Sequence, residues 1–228
     1  MNILLCAATS MEMEGTRQFL LTNATQLSSN RFLIGNLTVT LLVTGIGSAI
    51  TGYVLGKYLG QSSKPDFAFQ IGIAGTFNPD WPLSDVYLVA EDQFADLGAE
   101  NANGEFSNLF QMNFLQLDDF PFSAGKLISG DYEHLRHLPK ASSITINNVS
   151  GQKSTIQQRS INFKADLESM EGAIFAYACS TESIAYAQIR SISNYVEIRD
   201  KSKWQIKSAI ESLTTTMSNT ITELAAKA

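Results

Sequence analysis

The sequence has few of the features that mark secreted, membrane-spanning or nucleic-acid-binding proteins. Its two cysteines, Cys6 and Cys179, lie in apolar stretches, which predicts buried free thiols in a reducing compartment rather than a disulfide or a metal site. No apolar run is long enough to cross a membrane, and the N-terminus lacks the basic start of a signal peptide. A formal net charge of -6 leaves no basic stripe for nucleic acid. We therefore expect a soluble, cytoplasmic protein that binds a small molecule and other copies of itself, with no nucleic acid and no membrane as partner.

What is present is an alternation of strand and helix patterns. The chain has no obvious interdomain linker, so we expect one α/β domain over residues 1–228. Short apolar runs at 2–8, 67–73 and 184–192 are typical of central strands that are buried on both faces. Residues 101–125 show no clean period, which predicts a surface excursion. Residues 154–162 are interpreted as a connection. Helices are predicted at 11–21, 49–59, 170–181 and 201–226.

Small-residue loops follow several of the predicted strands. Residues 44–48 form a glycine loop between a strand and a helix, a layout that can cradle an anion. The loop fails as a dinucleotide fingerprint, because the third small-residue position is Ile50, and it is not a P-loop. An ordinary tight turn explains this pattern about as well. Similar loops at 72–77 and 147–151 favour a shared crevice at the carboxyl ends of the strands.

Polar residues bracket the apolar segment between Glu168 and Asp200. Glu168 and Glu171 precede a predicted helix, and a polar cluster that includes Asn194 follows the last predicted strand. Taken alone, this pattern fits a capped helix with a solvated exit loop as well as a binding site. Glu12 is similarly ambiguous, since a carboxylate in a first helical turn is also favoured by the helix dipole.

Several segments resemble one family in the correct order along the chain. The sequence is similar to the nucleoside phosphorylase and nucleosidase superfamily, and within it most closely to the bacterial futalosine hydrolases. The resemblance implies a three-layer α/β/α sandwich with a central twisted mixed β-sheet, assembled as a homo-oligomer, and an enzyme that needs no metal and no organic cofactor. The matching segments are 8–12, 44–47, 72–75, 148–151, 168–172 and 190–194, followed by Arg199, Asp200 and Trp204.

The resemblance also implies a chemistry, which is cleavage of an N-ribosidic bond through an oxocarbenium-like transition state. Met170 would lie under the ribose, Glu171 would bind its hydroxyl groups, and Glu12 would deprotonate the attacking water. The pKa of Glu12 would have to be raised by burial to suit neutral pH. The remaining predicted substrate-binding residues lie in the matching loops: Ile46, Gly47, Ala74, Gly75, Val149 and Ser150.

Asn194, the residue expected to face the leaving base, differs from the residue that part of the superfamily has at this position. Methylthioadenosine nucleosidases carry aspartate where this chain has Asn194. An amide offers both a donor and an acceptor, which suits the N7 and O6/N1-H edge of a 6-oxopurine. Asp200 is a candidate for an acid role, with an N-cap of the last helix as the equal alternative. Asn194 therefore favours hypoxanthine as the leaving base.

Water is the expected nucleophile, because Gln70 stands where hexameric phosphorylases place a phosphate-binding arginine. Phosphorolysis would need a positively charged side chain from elsewhere in the sequence, such as Arg199. The resemblance thus implies futalosine hydrolysis to hypoxanthine and dehypoxanthine futalosine, a step of the alternative menaquinone pathway. The alternatives are an adenine-releasing nucleosidase (methylthioadenosine/S-adenosylhomocysteine or aminodeoxyfutalosine), a purine nucleoside phosphorylase, or a nucleoside-binding relative without activity.

Candidates for binding the carboxyphenyl end of futalosine are Phe77, Trp81, Phe94 and the excursion at 101–125.

Overall fold

A mixed β-sheet forms the middle layer of the molecule. The computed structural model describes residues 1–102 and 104–227; Asn103, within the predicted excursion, and Ala228, at the end of the predicted domain, lie outside the described residues. The strands are β1 (Asn2–Ala7), β2 (Thr25–Ser28), β3 (Arg31–Ile34), β4 (Leu37–Val43), β5 (Phe67–Thr76), β6 (Val86–Phe94), β7 (Gly98–Glu100), β8 (Phe106–Asn108), β9 (Leu127–Ile128), β10 (Lys140–Thr145), β11 (Leu167–Ser169) and β12 (Ala185–Tyr195).

The order of the strands brings distant parts of the sequence together. The sheet runs β11-β10-β6-β12-β5-β1-β4-β3-β2, with β9 on β6, while β7 and β8 form a separate hairpin. Strands β12, β5, β1 and β4 are parallel neighbours, so their carboxyl ends meet at one edge. Strand β11 also pairs antiparallel with β5, which closes β5, β12, β6, β10 and β11 into a ring.

Helices cover both faces of the sheet. Their bounds are α1 (Ser10–Asn23), α2 (Ser48–Gln61), α3 (Lys153–Phe163), α4 (Gly172–Thr181) and α5 (Ile206–Lys227). The apolar stripe of α5 and the inner face of α1 pack on one side of the sheet, and α2 with α4 packs on the other. Both free cysteines are buried in the second of these clusters. No helix in the described ranges combines the length and apolar character needed to span a membrane.

Two element predictions were wrong. Residues 154–162, interpreted as a connection, lie inside α3; this helix has a weak apolar pattern, and its buried side chain is the charged Arg159. The predicted last helix at 201–226 is interrupted. A short 3-10 helix spans Lys201–Lys203, and α5 starts only at Ile206. Within the predicted excursion at 101–125, the described residues include β8 and a series of turns.

Candidate active site

A cavity of about 310 Å³ opens at the carboxyl ends of the central strands. It lies where β5, β11 and β12 converge, because Gly75 pairs with Glu168 on one side and with Asn194 on the other. Most of the predicted site residues line this cavity, whereas Gly47, Ser150 and Asp200 do not. The predicted residues that line it are Glu12, Ile46, Ala74, Gly75, Val149, Met170, Glu171 and Asn194.

The start of α1 fixes Glu12 at the cavity. Thr9 and Glu12 form a capping box, in which the backbone N–H of Glu12 donates to Thr9 Oγ1 at 3.3 Å and Glu12 Oε2 accepts from the Thr9 backbone N–H at 3.0 Å. The other oxygen, Oε1, accepts from the backbone N–H of Ile73 at 3.1 Å. Glu12 is only 7% exposed. The capping role and the site position therefore belong to the same side chain.

The glycine loop after β4 orients Glu171. Gly47 has a φ of 86°, a conformation that favours glycine, and its backbone N–H donates to Glu171 Oε1 at 2.9 Å. Glu171 is the N-cap residue of α4. Burial raises the pKa of Glu171; Arg190 and the Gly47 N–H oppose the shift, and nearby Glu12 adds to it. Gly47 thus contributes through its backbone, although it does not line the cavity.

Asn194 is aimed by an irregularity in β12. The register against β5 shifts between Ile192 and Asn194, as in a β-bulge, which re-aims the side chain that follows. The hydroxyl of Ser193 donates to Asn194 Oδ1 at 2.8 Å, and Asn194 Nδ2 donates to the Tyr195 carbonyl at 2.9 Å. These two bonds determine which end of the amide is oxygen. Each end keeps further capacity, a lone pair on Oδ1 and a hydrogen on Nδ2.

A buried ion pair holds the loop after β10. Arg159 Nη1 lies 3.3 Å from Glu168 Oε2 and also donates to Ser150 Oγ at 2.7 Å. The Ser150 backbone N–H donates to Glu168 Oε1 at 3.0 Å, and its hydroxyl donates to Oε2. Ser150 therefore supports the cavity wall at Val149 instead of lining it. Arg159 was not predicted from the sequence, because α3 itself was not.

A second polar network lies beneath the cavity and was also not predicted. The fully buried Arg190 donates to Gln70 Oε1 at 2.5 Å and to Gln188 Oε1 at 3.4 Å. Gln70 Nε2 in turn donates to the Glu171 carbonyl at 3.4 Å. Gln70 is thus a buried partner of an arginine and does not line the cavity. The sequence signal that could have predicted this network is Arg190, a charged residue inside the apolar run 184–192.

Asp92 extends this network towards α4. Its Oδ1 accepts from Thr145 Oγ1 at 3.0 Å, and Thr145 Oγ1 accepts from the Ala173 backbone N–H at 2.7 Å. Burial raises the pKa of Asp92 to about 6, although Arg190 and hydrogen bonds from Thr145, Gln93 and Gln188 lower it. The first turn of the helix that follows Glu171 is therefore tied to a buried acid.

The segment after β12 closes one side of the cavity. Asp200 is exposed and caps the short 3-10 helix, with Oδ1 accepting from the Ser202 hydroxyl at 2.6 Å. Hydrogen bonds from Ser202 lower the pKa of Asp200, so that it is ionised at neutral pH. Arg199 and Trp204 line the cavity instead. Asp200 caps this short helix and not the last helix.

The aromatic residues predicted for the far end of the substrate lie elsewhere. Trp81 stacks on Tyr87, with ring centroids 4.1 Å apart. Phe94 lines a separate apolar cavity of about 270 Å³ beside α4. Phe77 packs with residues of the β10 region and does not line the site cavity. Across residues 1–102 and 104–227, no cluster of His, Cys, Asp and Glu has the arrangement of a metal site.

Comparisons with known proteins identify the family of this chain. A family model described as the Phosphorylase superfamily matches residues 3–226. The futalosine hydrolase of Thermus thermophilus is 30% identical over 174 residues, covering 75% of this chain and 76% of the relative. The futalosine hydrolase of Streptomyces coelicolor is 24% identical over 220 residues, covering 94% and 92%. The chain belongs to the phosphorylase superfamily.

A solved structure shares the fold. A futalosine hydrolase mutant of Helicobacter pylori superposes with a TM-score of 0.78 at 15% identity, covering 97% of this chain and 99% of that one. The predicted mixed α/β fold and the family resemblance are therefore confirmed.

Proposed function

We propose that this chain is a futalosine hydrolase, an N-glycosyl hydrolase that releases hypoxanthine and leaves dehypoxanthine futalosine. The observation that carries the proposal is the cavity itself. It joins the carboxylates of Glu12 and Glu171 with the amide of Asn194, in a chain whose curated relatives are futalosine hydrolases. In the reaction, the oxygen of water bonds to C1′ of the ribose, the bond from C1′ to the base nitrogen breaks, and the base leaves with the bonding electrons and takes up a proton.

Glu171 and Met170 would hold the sugar. A carboxylate has about four lone-pair sites, and one oxygen of Glu171 is fixed by the Gly47 N–H, so acceptor capacity is left for ribose hydroxyl groups. A negative charge in a buried setting stabilises the positive charge that develops on the ribose ring. Arg190 lies beneath and stabilises the ionised form of Glu171. This arrangement supports an oxocarbenium-like transition state.

Glu12 would accept the proton of the attacking water. Both of its oxygens are held in place by Thr9 and Ile73. Oε2 accepts two hydrogen bonds from Thr9, whereas Oε1 accepts one from Ile73 and keeps a lone pair for the proton of water. The rigid start of α1 thus positions a general base, which is worth about 10²- to 10⁴-fold in rate.

Asn194 would bind the purine edge. The orientation fixed by Ser193 and Tyr195 presents one acceptor and one donor. Nδ2 can donate to O6 of a 6-oxopurine, and Oδ1 can accept from N7 once the leaving base is protonated there. We assign no acid role to Asp200, because its lowered pKa leaves it without a proton to donate at neutral pH.

Water is favoured over phosphate as the nucleophile by the charges around the cavity. Among the described residues that line it, Arg199 is the only arginine, and carboxylates surround the reaction centre. A phosphate dianion beside Glu12 and Glu171 would be repelled.

We further propose a single cytoplasmic domain that assembles into homo-oligomers. Ile46, in the loop before α2, is 52% exposed, and Ile50 and Tyr53, in the first turns of α2, are 55% and 70% exposed. This apolar face begins at the cavity rim, where Ile46 lies, and would be covered in an oligomer.

A Glu12→Gln substitution tests the assigned chemistry. Glutamine can keep the capping box with its oxygen towards Thr9, but its NH2 group then faces the Ile73 N–H, which should cost about 1–3 kcal/mol of stability. The kcat for futalosine should fall by about 10²- to 10⁴-fold because an amide cannot accept the proton. Glu14→Gln is the matched control, since Glu14 is exposed on the same helix and bonds only to Gln18 among the described residues. Unchanged turnover in E12Q would remove Glu12 from the mechanism. If the wild-type protein binds nucleosides tightly but does not cleave them, the chain is a nucleoside-binding relative without enzymatic activity.

A further inference from the structure

The cavity is lined by two chemically different sets of side chains. Glu12, Glu171 and Asn194 are polar, and Met11, Trp204, Ile206 and Ile210 are apolar. Arg199 accompanies the apolar set, with its guanidinium carbon 5.9 Å from the centre of the Trp204 ring. When the polar set holds the ribose and base of a nucleoside, this arginine and tryptophan are available to a further group.

Arg199 is a cation without an anionic partner. Within residues 1–102 and 104–227 it makes no hydrogen bond and no ion pair. The two acids near it in sequence are engaged elsewhere, because Glu197 pairs with Lys203 at 3.1 Å and Asp200 accepts from Ser202. Arg199 is solvent-exposed and also lines the cavity, so its positive charge is available to an anionic group bound there.

The segment that carries Arg199 and Trp204 is anchored at both ends. Asp200 caps the 3-10 helix between them, and the Gln205 backbone N–H donates to the Ser193 carbonyl at 2.7 Å. Ser193 is also the residue that orients Asn194. The distance between the arginine and the base-binding amide is therefore set by a short, hydrogen-bonded segment.

We propose that Arg199 and Trp204 form a subsite for an aromatic carboxylate at the non-purine end of the substrate. This inference rests on the proposed function, since futalosine carries a carboxyphenyl ketone at that end. The guanidinium pairs with the carboxylate, in a geometry that arginine supports with two parallel hydrogen bonds, and the phenyl ring packs among Trp204 and the apolar side chains.

The charged side chains that line the cavity also favour one orientation of the bound substrate. Carboxylates of Glu12, Glu168 and Glu171 line the cavity, and Arg199 is the basic residue among its described lining residues. An anionic group is repelled from the first region and attracted to the second, so a reversed substrate is disfavoured. The subsite thus selects futalosine over nucleosides that lack a distal carboxylate.

Binding measurements in the E12Q background test this subsite without turnover. Calorimetry would compare futalosine with inosine, which has the same purine and ribose but no arm. Adding Arg199→Gln should weaken futalosine binding by about 3- to 10-fold, the loss expected for a charged hydrogen-bonded pair that involves an exposed arginine, and should change inosine binding by less than about twofold. Lys201→Gln, which removes an exposed positive charge from the same turn and leaves the pair of Lys203 with Glu197 intact, is the matched control and should change neither.

The possible outcomes separate the subsite from the proposed function. Equal weakening of both ligands, or of neither, would overturn the subsite, as would phosphate-stimulated inosine cleavage that R199Q abolishes, because Arg199 would then be a phosphate ligand. If futalosine binding depends on Arg199 but the wild-type protein does not cleave futalosine, the subsite stands and the proposed function fails. Futalosine methyl ester, which lacks the charge, should bind the E12Q protein as weakly as futalosine binds the double variant.

Discussion

Asp92 shows how one buried carboxyl group can support a site while weakening the fold around it. It is 1% exposed, and its Oδ2 has no hydrogen bond to the described residues. Burial raises its pKa to about 6, from an ordinary value of about 3.9. The native state therefore favours the protonated acid, and this contribution to stability is complete below about pH 4 and is lost as the pH rises through about 6.

Asp92→Asn should stabilise the protein at neutral pH. The asparagine Oδ1 can still accept from Thr145 and Gln93, but no charge is buried. A pKa difference of about 2 units corresponds to about 3 kcal/mol, so D92N should exceed the wild type by up to roughly this amount at pH 7, and the gap should shrink by pH 5. Urea unfolding at the two pH values measures it. A D92N protein that is less stable than the wild type at pH 7 would show that its charge is needed by Arg190.

At this scale, the sequence could indicate residues that occupy recognisable motifs. Glu12, Glu171 and Asn194 were found because each lies in a short segment shared with the superfamily and at the end of a predicted strand or the start of a helix. Asp92 and Gln70 were not predicted as partners, because their network is formed by strand neighbours that are far apart in sequence. The unpaired state of Arg199 likewise depends on which acids Ser202 and Lys203 engage.

Among the elements, the start of α4 is tightly packed at Gly172. A Cβ atom on Gly172 would lie 2.1 Å from Asp92 Oδ2 and 2.4 Å from Gln188 Oε1, closer than atoms can approach. The absence of a side chain lets the buried acid reach the first turn of the helix. Glu171, the preceding residue, therefore depends on this glycine for its position.

Gly172→Ala should distort the site. We expect a loss of about 1–3 kcal/mol in the free energy of unfolding from overpacking, with a fall in kcat because Glu171 moves. Gly56→Ala is the control. Gly56 lies inside α2 with nothing near its missing Cβ, and alanine there should add about 0.5–1 kcal/mol. Equal stability and equal activity for the two variants would refute the close packing at α4.

Element boundaries were predictable where apolar periodicity was strong. The central strands and the helices α1, α2 and α4 were found close to their observed bounds, while α3 was not, because its buried residue is an arginine held by Glu168 and Ser150. Contacts with residues elsewhere in the fold, and not local apolar periodicity, stabilise α3. The interruption before α5 depends on the Asp200 cap, which competes with continuing the helix.

For the whole molecule, the sheet order creates the site. Strand β5 is flanked by β1 and β12, and β11 returns to pair with it, so segments from both ends of the sequence meet at Gly75. Periodicity alone predicted strands and helices but not this order, since strand pairing depends on side-chain packing across the sheet. The family resemblance supplied the mixed sheet with helices, which the superfamily match over residues 3–226 supports, but the strand order itself was not predicted.

The central claim is that water, and not phosphate, forms the new bond to C1′ of the ribose. The direct measurement is to incubate purified protein and futalosine in ¹⁸O-labelled water with inorganic phosphate present, and to identify both products by mass. We predict free hypoxanthine and dehypoxanthine futalosine that carries the label, at a rate that phosphate does not change. A sugar phosphate without label, or cleavage of methylthioadenosine or inosine while futalosine stays intact, would contradict the account.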